Sequence, residues 1–328
     1  MLIKNFTVNE FGEQVYNLFM SDVVSEGFYQ EFEKEGFYNF LYKNPHFKES
    51  GAFVAVEGDE VIGFTCGWIR KEDEEDATKP GYFNTIFVKK EYRRQYVATK
   101  LFEKVVEWFK ANGKTFVRSV FLGPCNWPWY IPETEKHNHP GLPAVPINTP
   151  YYFFLTRNDF HAQGHIDAFH LPLAKFEMNP DVLKRMEENE KKGLKIEVYD
   201  PEKHYGVEEF CEAINNPGFA RSIRYNLNRE KPYPFLIVSD NGRMAGWTGP
   251  MYTESTGRGH LDGIAVDPNV RGGGLGKSLF CCLCDYSKKQ GSSFMTFFTG
   301  LENPARYIYL YAGFRICQSF AIMKKEIK

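Results

Sequence analysis

The 328-residue chain contains no run of 18 apolar residues, so no segment reads as a membrane-spanning helix. Basic residues are not in excess. Lys and Arg number 40 against 42 Asp and Glu, a formal charge of −2, which excludes a general nucleic-acid binder. The opening MLIKNFTVNEFGEQV lacks an apolar core behind a basic start, so no secretory signal is expected there. The seven cysteines are odd in number and unevenly placed. No disulfide framework is expected, and a reducing cytoplasm is the expected compartment. Cys281 and Cys284 form a CxxC without a second pair, too few ligands for structural zinc. His137 and His139 form an H-x-H pair near Cys125, with His161, His165 and His170 downstream, but loop histidines more often do not bind metal. No metal is expected. Aromatic residues, in contrast, are plentiful: 30 Phe and 19 Tyr.

The length suits two domains, and the chain repeats itself. Val88–Phe102 aligns without a gap on Val266–Phe280, which places Arg93 on Arg271 and Ala98 on Gly276. Residues 147–160 align on 301–314, and the hairpin pattern of 53–65 resembles that of 235–248. From Val88 to Phe160 is 72 positions and from Val266 to Phe314 is 48, so the first copy carries 24 more residues. They fall near 123–146, a stretch rich in Pro, Trp and His. That insertion either lids an acceptor site or covers a sheet edge. Each copy reads as strand, helix, hairpin, strand, turn, long helix, strand, short helix, strand. The expected first strands lie near Leu2–Val8 and Leu194–Tyr199, and the first helices near Phe11–Val24 and Val207–Ile214. The expected fold class is α/β, of the α+β mixed-sheet kind, with each copy a mixed, mostly antiparallel sheet flanked by helices. The expected domains are 1–178 and 194–328, joined by a charged helix over 179–193 in which Pro180 suits the first turn and Gly193 the stop.

Residues 259–266 read as a strand, and 275–290 carry apolar residues at helical spacing. Between them stands Arg271-Gly-Gly-Gly-Leu-Gly276. A helix start exposes unpaired N–H groups and partial positive charge. Glycines let that backbone approach a phosphate closely. The turn is not a Walker loop, because Arg271 stands where its first Gly would be. Nor is it a dinucleotide fingerprint, which would need Gly at Lys277 or Leu279.

The motif Arg-x-x-Gly-x-Gly between strand and helix resembles the acyl-CoA-binding motif of the GNAT N-acetyltransferase superfamily. The segment Asn303–Phe314, with Tyr309 four residues before Gly313, resembles that family's second signature. The resemblance implies a tandem GNAT protein in which acetyl-CoA is the cosubstrate. It implies that Arg271, Gly272, Gly273, Gly274, Leu275, Gly276, Lys277 and Ser278 surround the pyrophosphate. Main-chain groups of Ile264 and Val266, together with Asn303, would hold the pantetheine arm. Tyr309 would be the general acid. Asp262, on the strand face of Ile264 and Val266, is the expected base, with Glu254, His260 and water as competitors. The acceptor would be a primary amine of a small molecule or peptide. The alternatives are a CoA-binding sensor without turnover, or transfer of a longer acyl group. In the first copy Tyr96 stands at the place of Gly274, Leu155 at that of Tyr309 and Asn84 at that of Asp262, so that copy is expected to be inactive.

Overall fold

The computed structural model describes residues 1–120 and 123–327. By packing it divides into two compact units, residues 1–167 with 318–328, and residues 168–317. The division expected from the repeat is one of sequence alignment; packing assigns the final segment to the first unit.

In the first unit, strands Leu2–Asn5, Ala52–Glu57, Glu60–Trp68 and Gly81–Val88 lie in that order and pair antiparallel. Alternate side chains of the central strands enter two different cores, as a period of two requires. Val54, Val56, Phe64 and Cys66 face one core, which holds Phe11, Val15 and Leu18 of helix Val8–Leu18. Phe53, Ala55 and Ile62 face the other, which holds Val97, Leu101 and Val105 of helix Val97–Ala111. The next strand, Phe116–Ser119, runs parallel to Gly81–Val88 but meets it only at Gly81 and Tyr82. The end of the chain completes this unit: Met323–Glu326 pairs antiparallel with Phe116–Ser119, and Met323 and Ile327 enter its core.

The second unit repeats the plan. Strands Leu194–Val198, Leu236–Asp240, Arg243–Gly249 and Gly263–Val266 form an antiparallel sheet. Its central hairpin turns on Asn241 and Gly242, both with positive φ, the geometry of a type I′ turn. Leu236 and Val238 face the core under helix Leu275–Lys289, while Phe235 and Ile237 face the core under helices Val207–Ala213 and Pro217–Leu227. The expected mostly antiparallel sheet flanked by helices is thus present in both copies, with the parallel pairing of Phe116–Ser119 making it mixed in the first.

Local differences have local causes. The first helix begins at Val8, where the Thr7 hydroxyl accepts from the Glu10 N–H, and passes into a π-helical turn over Phe19–Val23. The expected strand over 259–266 is regular only over Gly263–Val266. Helix Pro217–Leu227 lay outside the sequence reading. Its start signal is ordinary: the Asn216 side chain caps the N–H groups of Gly218 and Phe219, and Pro217 occupies the first turn.

Candidate active site

In the second unit, strands Gly263–Val266 and Phe294–Gly300 belong to different sheets. They are linked at one end by a parallel bridge between Arg258 and Phe294, where the Gly259 N–H donates to the Phe294 carbonyl at 2.8 Å. Beyond that bridge they diverge, and the outer edge of Gly263–Val266 pairs with no strand among the described residues. Ile264 and Val266, expected to present main-chain groups to a pantetheine arm, sit on that edge strand.

The strand leads to the glycine turn. Gly272, Gly273 and Gly274 have φ of +120°, +55° and +73°, values that L side chains seldom adopt. Gly274 is the N-cap of helix Leu275–Lys289. Leu275 N–H donates back to the Gly272 carbonyl and Ser278 N–H to the Gly274 carbonyl. The amides of Gly273, Gly274, Gly276 and Lys277 have no acceptor among the described residues. Several bare donors therefore converge on one helix start, the requirement for gripping a diphosphate. The Arg271 Nε donates to the Val266 carbonyl at 3.3 Å, and its guanidinium meets no carboxylate among the described residues. Lys277 Nζ lies 4.5 Å from the centre of the Tyr311 ring. Leu275 and Ser278 behave differently from the rest of the expected set: both side chains are buried. The Ser278 hydroxyl is buried without a partner.

Tyr309 lies on the short helix Ala305–Tyr311. Its ring is packed among Phe169, Phe280, Phe297 and Phe314, with centroids 5.0–6.2 Å away, in the same core as Ile264, Val266 and Leu275. Burial pushes its phenol up to about 12, so it holds its proton at neutral pH. Its hydroxyl has no hydrogen-bond partner among the described residues, although the residue is only 8% exposed. Asn303 is less open than expected: its Oδ1 accepts from the Ala305 N–H at 2.9 Å, leaving the amide nitrogen to donate elsewhere.

The three candidate bases are brought together. The chain after Gly249 continues the hairpin irregularly, with His260 N–H donating to the Tyr252 carbonyl and Glu254 N–H to the Arg258 carbonyl. Tyr252, Glu254, Arg258 and His260 therefore stand opposite one another on one face. His260 Nδ1 is 2.9 Å from Glu254 Oε1, and its Nε2 is 2.9 Å from Asp262 Oδ1. Glu254 also receives two bonds from Arg258, at 2.9 and 2.6 Å. The Ser222 hydroxyl of helix Pro217–Leu227 donates to Asp262. Tyr252 stacks on the His260 ring at 4.2 Å. Burial pulls His260 down, but its bonds to Asp262 and Glu254 outweigh that, and its pKa is raised. The His260 bond holds the Asp262 carboxyl below its ordinary value against burial. Glu254 is partly buried, yet His260 and Arg258 bring it down to about 2. Asp262 and Tyr309 share no hydrogen bond. Of this array the sequence marks Asp262 and, as its competitors, Glu254 and His260; Arg258, Ser222 and Tyr252 carry no such signal.

The first unit has the same backbone with different contents. Arg93 Nε donates to the Val88 carbonyl at 2.9 Å, as Arg271 does to Val266, and Tyr96 caps its helix at φ +63° where Gly274 has +73°. Arg93, however, is paired with Glu26 and donates to the Asp22 carbonyl. The gap between the diverging strands is closed by the insertion. The Asn84 side chain donates to the Cys125 carbonyl, and Trp127 Nε1 donates to the Thr85 hydroxyl at 3.2 Å. Leu155, at the place of Tyr309, is fully buried. Among the described residues no three His, Cys, Asp or Glu side chains cluster to hold a metal.

Two copies of a splayed, helix-flanked sheet, with a glycine-lined turn at the long helix of one of them, define an acyltransferase-type fold. The model of the Acetyltransferase (GNAT) family matches residues 13–126 and 198–314, one segment in each copy, and the chain belongs to that family. Solved structures agree on the fold. A GCN5-related glucosamine N-acetyltransferase region of a fungal multi-domain GH3 β-N-acetylglucosaminidase matches with a TM-score of 0.64 at 15% identity, over 99% of this chain and 38% of that one. This chain thus spans well under half of that fungal protein chain. A GCN5-related N-acetyltransferase from Sphaerobacter thermophilus matches with a TM-score of 0.56 at 13% identity, over 100% of this chain and 96% of the other. A tandem GNAT protein from the clavulanic acid biosynthesis pathway also has a TM-score of 0.56 at 13% identity, over 100% and 98%. No curated protein matches the sequence. Among the described residues no helix is long and apolar enough to cross a membrane.

Proposed function

We propose that the protein is an N-acetyltransferase that moves an acetyl group from acetyl-CoA to a primary amine of a small molecule or peptide, using the second copy alone. The observation that carries this reading is the turn of glycines with unbonded amides at Gly273, Gly274, Gly276 and Lys277, beside an arginine that meets no carboxylate among the described residues and at the mouth of a strand gap. The residues fit a CoA tail on the side of Gly272, where nothing lies within 4 Å of the point a Cβ would occupy, while the same points on Gly273 and Gly274 meet Asn189 and Arg185. Acetyl-CoA supplies an activated acyl thioester. Residues Arg271–Lys277 anchor its phosphates, and Ile264, Val266 and Asn303 align the arm, so that positioning supplies much of the rate. Ser278 stays in the proposed set as the residue that closes the first helical turn on Gly274. Tyr309 holds a proton for the departing sulfur. Asp262, with His260 behind it, receives the proton that the acceptor ammonium must lose. A cytoplasmic setting accords with seven unevenly placed cysteines that suggest no disulfide framework.

The test is direct. The protein incubated with acetyl-CoA and a panel of amines should release free thiol with at least one of them. CoA binding without release across the panel would favour a sensor. Gly274→Val should abolish CoA binding measured by calorimetry, because a side chain there meets Arg185 at 3.0 Å and is strained at φ +73°; the strain lowers the melting temperature but should leave a single cooperative transition. Full affinity in that variant would remove the cradle from the reading.

A further inference from the structure

Helix Pro180–Glu190 lies between the two segments that the family model matches, 13–126 and 198–314. Its sequence reads only as a charged connector. In the structure it packs against helix Leu275–Lys289: the Cys282 thiol reaches the Met186 sulfur at 3.6 Å, and Asn189, 4% exposed, donates from Nδ2 to the Gly273 carbonyl at 3.0 Å. Asn189 thereby pins the middle glycine of the cradle. Residues 185 and 189 are four apart and share a helix face. Arg185 accordingly lies over the next glycine. Its Cδ is 3.0 Å and its Nη1 3.1 Å from the point a Cβ on Gly274 would occupy.

Arg185 has four acidic residues on its own helix, Asp181, Glu187, Glu188 and Glu190, yet it pairs with none of them and makes no hydrogen bond among the described residues. Arg271, which opens the turn, also meets no carboxylate among the described residues. The turn thus has two arginines without counter-charges, Arg271 at its start and Arg185 over Gly274. A planar guanidinium offers paired donors that match two phosphate oxygens at once, and its charge is permanent.

We propose that Arg185 is a cofactor-binding residue that donates to the diphosphate of the CoA nucleotide tail, so that the connecting helix forms one wall of the phosphate site. This rests on the reading of the glycine turn as the CoA cradle. Asn189 is then a positioning residue, holding the Gly273 carbonyl away from the anion and its amide toward it.

The experiment measures free CoA and dephospho-CoA binding by calorimetry for the full chain, Arg185→Ala, Arg185→Lys and Gly274→Val. Arg185→Ala should weaken CoA about 10- to 100-fold, the range for a charged hydrogen bond, with an unchanged melting temperature, because the side chain is exposed. Arg185→Lys should recover part of that loss. The same factor should hold with dephospho-CoA, which keeps the diphosphate and lacks the 3′-phosphate. The affinity of the unaltered protein should fall more steeply with salt than that of Arg185→Ala. Binding within twofold of the unaltered protein in Arg185→Ala overturns the proposal. A factor that vanishes with dephospho-CoA overturns the diphosphate assignment. If Arg185→Ala is neutral while Gly274→Val is blind to CoA, only Arg185 is removed; if Gly274→Val binds normally, the cradle itself fails.

Discussion

Among the single residues, Tyr309 and His260 make the sharpest contrast. Tyr309 is sealed by four phenylalanines and keeps its proton because burial penalises the phenolate. A phenylalanine fits the same space. Tyr309→Phe should therefore leave CoA affinity unchanged and lower kcat by roughly 10- to 1,000-fold, the span of general acid catalysis; unchanged turnover would remove the hydroxyl from the chemistry. His260 is poised differently. Two carboxylates favour its charged form, so the proton leaves only above the ordinary value of 6.5. While His260 is an imidazolium, Asp262 is already compensated and accepts an amine proton poorly. kcat/KM should then rise with pH through the raised His260 value. In Glu254→Gln one favouring charge is lost, the His260 pKa falls, and the rising limb moves to lower pH. A limb that stays in place belongs to the acceptor amine instead.

At the scale of the element, the two glycine-turn positions show what a backbone keeps when its side chains drift. The Arg93 turn retains the helix cap, the Arg-to-carbonyl bond and a positive φ, with Tyr96 where Gly274 stands. A tyrosine in that region is disfavoured by about 1 kcal/mol or more, and at 75% exposure its ring recovers little by packing. Tyr96→Gly should stabilise the protein by ~1 kcal/mol, read from the denaturant midpoint. It should not restore CoA binding there, because Arg93 remains paired with Glu26 and the strand gap remains closed by Cys125 and Trp127.

For the whole molecule, the outcome of that closure is a count. One copy has an open edge strand and a turn of glycines. The other has its arginine neutralised and its gap filled by the insertion over 123–146. Calorimetry should find one CoA per chain; two equivalent sites would overturn the division of labour between the copies. The insertion, left open between lid and edge cover by its sequence, is in part a plug: Trp127 and Trp129 are fully buried in the first unit.

The sequence by itself determined the repeat, most of the element order and the glycine turn, because these depend on local periodicity and on backbone conformations that few residues adopt; the helices Lys34–Phe40 and Pro217–Leu227 were not in that order. It also marked Tyr309, Asp262 and the competing pair Glu254 and His260 as chemistry-bearing. Only tertiary structure decided how they meet. The bases form one array because residues 252–262 fold back on themselves, and no sequence spacing states which of two facing strands is irregular. Arg185 and Asn189 reach the cradle because one helix packs on another more than 80 positions away. The last strand joins the first unit because burial of Met323 and Ile327 and a free strand edge at Phe116–Ser119 are satisfied there, and such long-range pairing leaves no mark in local pattern.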